Sequence, residues 1–185
     1  MGYFPMCISL KDSHILLIGE GKSATEKLHV LQPFGTEIRI LSTLTEQDLD
    51  PRPAFVVVCD TDHSEKERIS ILCKQKNIPV NVVDVPTLCS FYFPAIIQNG
   101  DLTVSVSTGG KSPGAAAYLR HHLEPHIPDR TDEILEWLAD LRKALPKELV
   151  PEKRRMVLKQ AVADAFEKNR PLENHELLKF DISEK

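Results

Sequence analysis

Four apolar residues in a row, Ile15, Leu16, Leu17 and Ile18, end abruptly at Gly19-Glu20-Gly21, and a helix-compatible run then continues through Val30. An uninterrupted apolar run of this length reads as a strand covered on both faces. The pattern returns at residues 54–59 (AFVVVC) and again at residues 78–83 (IPVNVV), while residues 36–41 (TEIRIL) form a further strand after the stop at Phe34-Gly35. A helix lies between the last two buried strands. Ser64-x-x-Glu67 reads as its capping box, Ile69, Leu72 and Cys73 as its inward face, and Asn77 as its end. Strands alternating with helices predict an α/β fold, a Rossmann-like parallel sheet, over residues 1–88. The lead-in Tyr3-Phe4-Pro5-Met6, with Ile8 and Leu10, is expected to strap the core, and residues 44–53 to form a short polar connection.

Beyond residue 88 the periodicity changes. Residues 91–97 and 102–107 flank Gln98-Asn99-Gly100-Asp101, a hairpin signal, and Leu102, Val104 and Val106 alternate with Thr103, Ser105 and Ser107. Ser112-Pro113 then opens a helix as N-cap and first residue, with Ala115, Ala116, Leu119 and Leu123 expected inward. This hairpin-helix stretch, residues 89–125, is expected to serve dimerisation and the active site. Residues 126–185 read as a small C-terminal helical domain. Thr131 is the expected cap of a helix carrying Ile134, Leu135, Leu138, Leu141 and Leu145, and Pro151 opens another with Val157, Ala161, Ala165 and Phe166 on one side. These amphipathic helices, together with the one opened by Pro113, are too few to enclose a core, so they are expected to pack on a partner, in the simplest case a second copy.

The chemistry concentrates where strands end. Gly19-x-Gly21-x-x-Ala24 after a buried strand has the residue types of a dinucleotide-binding turn. The first glycine allows the sharp bend, the second allows backbone to approach a pyrophosphate, and the small third residue lets helix pack on strand. The helix N-terminus adds free N–H groups and partial positive charge, making Gly19, Glu20, Gly21, Lys22 and Ser23 candidate cofactor contacts. An NAD site of this kind usually has an acid about 20 residues on for the ribose hydroxyls. Leu41, Ser42 and Thr43 stand there instead, so Ser42 is the candidate, and NAD is not separated from NADP by the sequence. Asp60 and Asp62 end the next strand, where open α/β sheets bind ligands, and Asp60 joins the cofactor candidates. Asp84, at the tip of the fourth strand and just before Val85-Pro86, is the candidate acid/base, expected to be partly desolvated with a raised pKa. In Ser107-Thr108-Gly109-Gly110-Lys111-Ser112-Pro113 two glycines, a lysine and a helix start coincide. Gly109, Gly110 and Lys111 are therefore candidates to hold an anion, the glycines through a nest of backbone N–H groups and the lysine through its charge.

Composition narrows the classes. A net charge of -4 and a pI near 6.0 argue against nucleic acid as a partner. No apolar run approaches the roughly 18 residues of a membrane span and the first residues lack a signal-peptide pattern, which predicts a cytoplasmic protein. Cys7, Cys59, Cys73 and Cys89 are widely spaced and are expected to be buried, reduced thiols. With no C-x-x-C, no nearby histidine pair, and His121, His122 and His126 reading as solvated, no protein-bound metal is expected.

Three segments, YFPMCISLKDSHILLIGEG, NVVDVP and FYFPAIIQNGDLTVSVSTGGKSP with its following helix, together resemble the precorrin-2 dehydrogenase family. That family includes the N-terminal module of siroheme synthase and stand-alone dehydrogenase/ferrochelatases. The likeness runs from Tyr3 to Glu124. It implies NAD-dependent oxidation of precorrin-2, a tetrapyrrole, to sirohydrochlorin on the route to siroheme, in a homodimer whose helical region helps form the site. In some members ferrous iron is a second substrate, inserted at the same site. The family's acid/base aspartate falls on Asp84, and its hydroxyl residue near the tetrapyrrole falls on Thr108. This chain departs from the pattern at Glu20, which replaces a glycine, at Glu26, which replaces an arginine, and at Asp60, where a threonine is common. Residues 44–53 also lack a strand-bearing segment.

Two other classes frame this reading. A short-chain dehydrogenase needs Tyr-x-x-x-Lys, but Tyr92 is followed at that spacing by Ile96 and Tyr118 by His122. The alternative is a non-catalytic nucleotide-sensing Rossmann domain that dimerises through its helical tail.

Overall fold

The computed structural model describes residues 4–180, so Tyr3 of the expected strap lies outside the described residues. The chain forms two compact units, one ending at Phe93 and the other beginning at Pro94.

In the first unit, β1 (His14–Ile18), β2 (Glu37–Leu41), β3 (Phe55–Val58) and β4 (Val80–Val82) form one parallel sheet in the order β2-β1-β3-β4. The apolar runs decide which strands are central. Ile15 to Ile18 are at most 1% exposed, and Val56, Val57 and Val58 are fully buried. Each such side chain stabilises the fold by about 1.5–3 kcal/mol. β2 lies on the sheet edge with Arg39 and Ile40 exposed, which its mixed sequence permits. α1 (Lys22–Leu31) and α2 (His63–Gln75) connect successive strands. Leu16, Ile18, Val56 and Val58 pack with Ile69, Leu72 and Cys73 of α2, whereas Ile15, Leu17 and Val57 pack with Ala24 and Leu31 of α1. The strand residues thus alternate between two cores, as a sheet covered on both faces requires.

Several local expectations are corrected. α2 begins at His63, with Asp62 as its cap: Asp62 Oδ1 accepts the Glu65 N–H at 2.9 Å and the Ser64 hydroxyl at 2.6 Å. Those donors, the Ser64 hydroxyl above all, hold the Asp62 carboxyl below its usual range. Ser64 is therefore an accessory to the cap, and Glu67 pairs with His63 instead of closing a box. The 44–53 connection is not merely polar, since Leu44 and Leu49 enter the core from it, helped by a short 3-10 turn at Gln47–Leu49. Among the described residues the expected strap is not formed: Phe4, Met6 and Ile8 are exposed, and Leu10 packs against the core. Cys59 and Cys73 are buried, and burial pushes each thiol up to about 11, but Cys7 is exposed.

In the second unit, β5 (Ala95–Asn99) and β6 (Leu102–Val106) form an antiparallel hairpin whose two-residue turn is Gly100-Asp101. Phe91 and Phe93 do not belong to that strand; both stack edge-on against Phe55 in the first unit. Gly100 has φ +55°, and a Cβ there would overlap the Asp132 carboxylate, which accepts the Asp101 N–H at 3.0 Å. α3 (Pro113–Leu123) packs beside the hairpin through Ala116, whereas Ala115, Leu119 and Leu123, expected inward, are exposed. α4 (Thr131–Ala144) and α5 (Pro151–Glu167) follow. Thr131 is the first helical residue, buried, its hydroxyl donating to the Pro128 carbonyl at 2.6 Å, and is not a cap. These helices do enclose a core of their own. Leu141, Leu145, Val157 and Ala161 form one cluster and Ile134, Ala165 and Leu172 another. α6 (Asn174–Leu177) and Phe180 complete both, an addition the sequence periodicity did not announce.

One buried polar group carries a pH dependence. His14 is 5% exposed, and its Nε2 has no hydrogen-bond partner among the described residues. Burial, seconded by the charge of Arg39 and opposed by Glu37, lowers its pKa below 6.5. The unfolded chain then binds a proton that the folded chain refuses, so stability is full above the unfolded pKa and falls as pH drops below it. The urea unfolding midpoint is expected to fall between about pH 7.5 and about pH 5.5, and His14→Leu to reduce that fall. Equal falls in both proteins would clear His14.

Candidate functional site

The carboxyl ends of the four parallel strands form one edge of the sheet, and most of the candidate residues leave from it. β1 runs into the bend at Gly19-Glu20-Gly21, β3 into Asp60, β4 into Asp84 and β2 into Ser42. With neighbouring strands about 4.8 Å apart, Asp84 leaves the sheet about 10 Å from the bend, two strands over.

The bend is built by backbone crowding. Gly19 donates its N–H to the Leu41 carbonyl at 2.9 Å, and Cys59 donates to Ile18 at 2.8 Å, so the ladder holds both flanks. At φ +96°, a Cβ on Gly19 would stand 3.0 Å from the Asp60 carbonyl oxygen. Glu20 and Asp60 form an isolated antiparallel bridge, which locks the start of one loop against the other. Gly21, at φ +98°, is the N-cap of α1 and offers no side-chain cap. The first N–H groups of α1 are thus left for another acceptor.

That acceptor is Asp60. Its Oδ2 accepts the Ser23 N–H at 3.2 Å, and its Oδ1 accepts the Ser23 hydroxyl at 2.9 Å. Oδ2 also stands 2.9 Å from where a Cβ of Gly21 would lie. A carboxylate is therefore seated over the helix N-terminus, where partial positive charge and free N–H groups favour an anion. The residues present fit a dinucleotide pyrophosphate: two glycines in left-handed geometry, a helix start without its own cap, and an anion of the chain standing in that position. Glu20 and Lys22 are exposed, and Lys22 pairs only loosely with Glu26 at 3.9 Å.

At the tip of β2, Ser42 is exposed and available to a ribose hydroxyl. An acid reaches the tip of β2 from another element. Glu65, from the first turn of α2, accepts the Thr43 hydroxyl and is gripped by Arg68 through Nε at 2.6 Å and a second guanidinium nitrogen at 2.6 Å. The Arg68 bonds are the main reason its pKa is lowered. Sequence reasoning missed Glu65 because it lies 22 positions from Thr43 and no local spacing joins them.

Asp84 sits in a tight turn at φ +65°, with Val85 donating to the Val82 carbonyl at 3.3 Å. It is exposed, so the partial desolvation expected of it is a correction: β4 ends at Val82, and the turn carries the side chain clear of the sheet. Lys66 of α2, not singled out from the sequence, reaches the adjacent Val83 carbonyl at 3.2 Å.

In the second unit the 107–113 loop has both glycines at positive φ, 61° for Gly109 and 78° for Gly110. Its amides turn inward. Gly109 donates to the Ser107 hydroxyl at 3.3 Å, Lys111 to the Thr108 carbonyl at 3.2 Å and Ser112 to the Thr108 hydroxyl at 3.2 Å. The expected nest of free N–H groups is therefore largely closed on the loop's own oxygens. The Lys111 side chain lies on an exposed residue, and Ser112 caps α3 by accepting the Ala115 N–H at 3.1 Å. Among the described residues no His, Cys, Asp and Glu cluster could hold a metal ion, and no helix is long and apolar enough to cross a membrane.

Comparison with known proteins places these features in context. Residues 6–95 match a family model described as NAD(P)-binding, and residues 99–126 match the central model of sirohaem biosynthesis proteins. The siroheme synthase of Methylococcus capsulatus is 32% identical over 174 residues, covering 83% of this chain and 36% of that protein. That of Nitrosomonas europaea is 28% identical, covering 84% and 37%. The chain thus spans about a third of the length of these curated relatives. Among solved structures, a precorrin-2 dehydrogenase, SirC, superposes with a TM-score of 0.71 over 96% of both chains at 18% identity, which shows the shared fold.

The bend makes its own prediction. Gly19→Ala forces a β-carbon against backbone at positive φ and is expected to lower unfolding free energy by about 1–3 kcal/mol, measured by urea titration. An unchanged midpoint would show that the bend tolerates the side chain.

Proposed function

We propose that this chain, which matches an NAD(P)-binding and a sirohaem biosynthesis family model and spans about a third of the siroheme synthases it resembles, oxidises precorrin-2 to sirohydrochlorin with NAD as cofactor. The reaction is a step of siroheme biosynthesis in the cytoplasm. The observation that carries this reading is the common origin of the Gly19-Glu20-Gly21 bend and Asp84 at the carboxyl edge of one parallel sheet. Open α/β sheets bind their ligands along that edge.

The roles follow from the chemistry. Bound NAD supplies the hydride acceptor. Gly19, Gly21 and the first amides of α1 hold its pyrophosphate, and Ser42 its ribose. Removal of hydride from a reduced tetrapyrrole leaves a proton to be taken up, and Asp84 takes it through its carboxylate. The substrate's many carboxylates are matched by the Lys111 ammonium and the N-terminus of α3, with Thr108 as a hydroxyl contact. A second copy completes the enzyme as a homodimer, which the exposed Tyr118, Leu119 and Leu123 of α3 support. Ferrous iron enters only as a substrate of a second step, for which Asp84 again offers a proton acceptor.

Supplied with precorrin-2 and NAD, and separately with NADP, the purified protein is expected to generate the sirohydrochlorin absorption spectrum with NAD. Absence of turnover with either, where a known enzyme works, ends the dehydrogenase reading. Nucleotide binding without turnover would leave a nucleotide-sensing module. Asp84→Asn is expected to cut kcat by about 10²–10⁴ while the far-UV circular dichroism spectrum stays that of the parent. Turnover at the parental rate would remove Asp84 from the mechanism.

A further inference from the structure

The position over the N-terminus of α1 does not simply await a phosphate; this chain has filled it with its own carboxylate. We infer that Asp60 is an internal competitor for the cofactor's pyrophosphate, so that a dinucleotide engages this domain only when the Asp60 side chain swings out. The inference rests on the reading of the Gly19-Glu20-Gly21 bend as a dinucleotide seat and names what limits affinity there.

Three observations support it. The carboxylate accepts both donors of Ser23, the backbone N–H at 3.2 Å and the hydroxyl at 2.9 Å. Ser23 is the second residue of α1, and its amide is among those a pyrophosphate would use. Oδ2 also lies over Gly21, 2.9 Å from its missing Cβ, which is the space that glycine leaves open for a close-approaching ligand. A carboxylate and a pyrophosphate cannot share that volume, and their like charges repel across whatever distance remains.

The occupant is displaceable. The Asp60 backbone is pinned by its bridge to Glu20 and its close approach to Gly19, but the residue is exposed, so its side chain has solvent into which to rotate. Displacement then costs two hydrogen bonds to Ser23 and the favourable placement of a negative charge at a helix start. A neutral amide at position 60 removes the charge cost, and a shorter hydroxyl side chain reduces the hydrogen-bond cost as well. Asp60 therefore acts by lowering affinity for every ligand that carries phosphate, and leaves ligands without phosphate unaffected.

Calorimetric titration of the full chain with NAD, ADP-ribose and adenosine tests this, comparing the parent with Asp60→Thr and Asp60→Asn. Both variants are expected to bind NAD and ADP-ribose about tenfold more tightly, equivalent to 1.4 kcal/mol, and adenosine equally well. Asp60→Asn keeps the shape and the acceptor oxygen, so a gain there isolates the charge. Unchanged or weaker NAD binding in both variants, with the parent binding normally, overturns the competitor and leaves the dinucleotide reading in place. A gain for adenosine equal to that for NAD also overturns it, because the effect would then not concern phosphate. If no protein binds NAD or ADP-ribose at millimolar concentration, the dinucleotide reading falls and the inference with it.

Discussion

Two adjacent strands buried on both faces, β1 and β3, impose the constraint from which the rest follows. Their side chains are fully enclosed, so both chains must leave the sheet at the same edge and turn at once to avoid burying unpaired backbone. At that edge the two exits come within contact distance of each other. Gly19 sits against the Asp60 carbonyl, and Glu20 bridges to Asp60. A residue with a Cβ at position 19 would push the exits apart. The functional edge is thus produced by the packing of the core, which brings the helix start of one loop beside the acid of the next.

The same edge distributes charge unevenly. The tip of β2 carries the Thr43, Glu65 and Arg68 network, in which a carboxylate is held ionised by a guanidinium. The start of α1 carries Asp60, and the exit of β4 carries Asp84 with the Lys66 ammonium bonded to the preceding carbonyl. Three acids therefore lie along the same sheet edge as an anion-preferring helix start, with Asp60 seated on it.

The second unit follows a different logic. Its hairpin has one half-buried face and α3 turns Tyr118, Leu119 and Leu123 outward, so apolar surface remains after the hairpin and α3 have packed. The helices after it were read as needing a partner because α4 and α5 alone offer two apolar stripes. Leu172, Leu177 and Phe180, from a segment with no sustained periodicity, supply the missing third side. A four-residue helix is too short to leave a 3.6-residue repeat in the sequence, yet it suffices to close a small core.

What the sequence determined by itself was the set of central strands, the two connecting helices, the glycine bend and the hairpin, because each depends on residues close in the chain: an apolar run, a 3.6-residue stripe, a pair of glycines. It also named Gly19, Gly21, Asp60 and Asp84 from their places at strand ends. The tertiary structure alone decided what those residues meet. Ser23 and Asp60 are 37 positions apart, and Thr43 and Glu65 are 22 apart. Pairings of that range arise when parallel strands are aligned in a sheet, which sets their carboxyl ends side by side whatever the length of chain between them. Exposure belongs to the same category. Asp84, Leu119 and Phe4 all looked coverable from their neighbours in sequence, and whether something covers them depends on which surfaces the fold brings together.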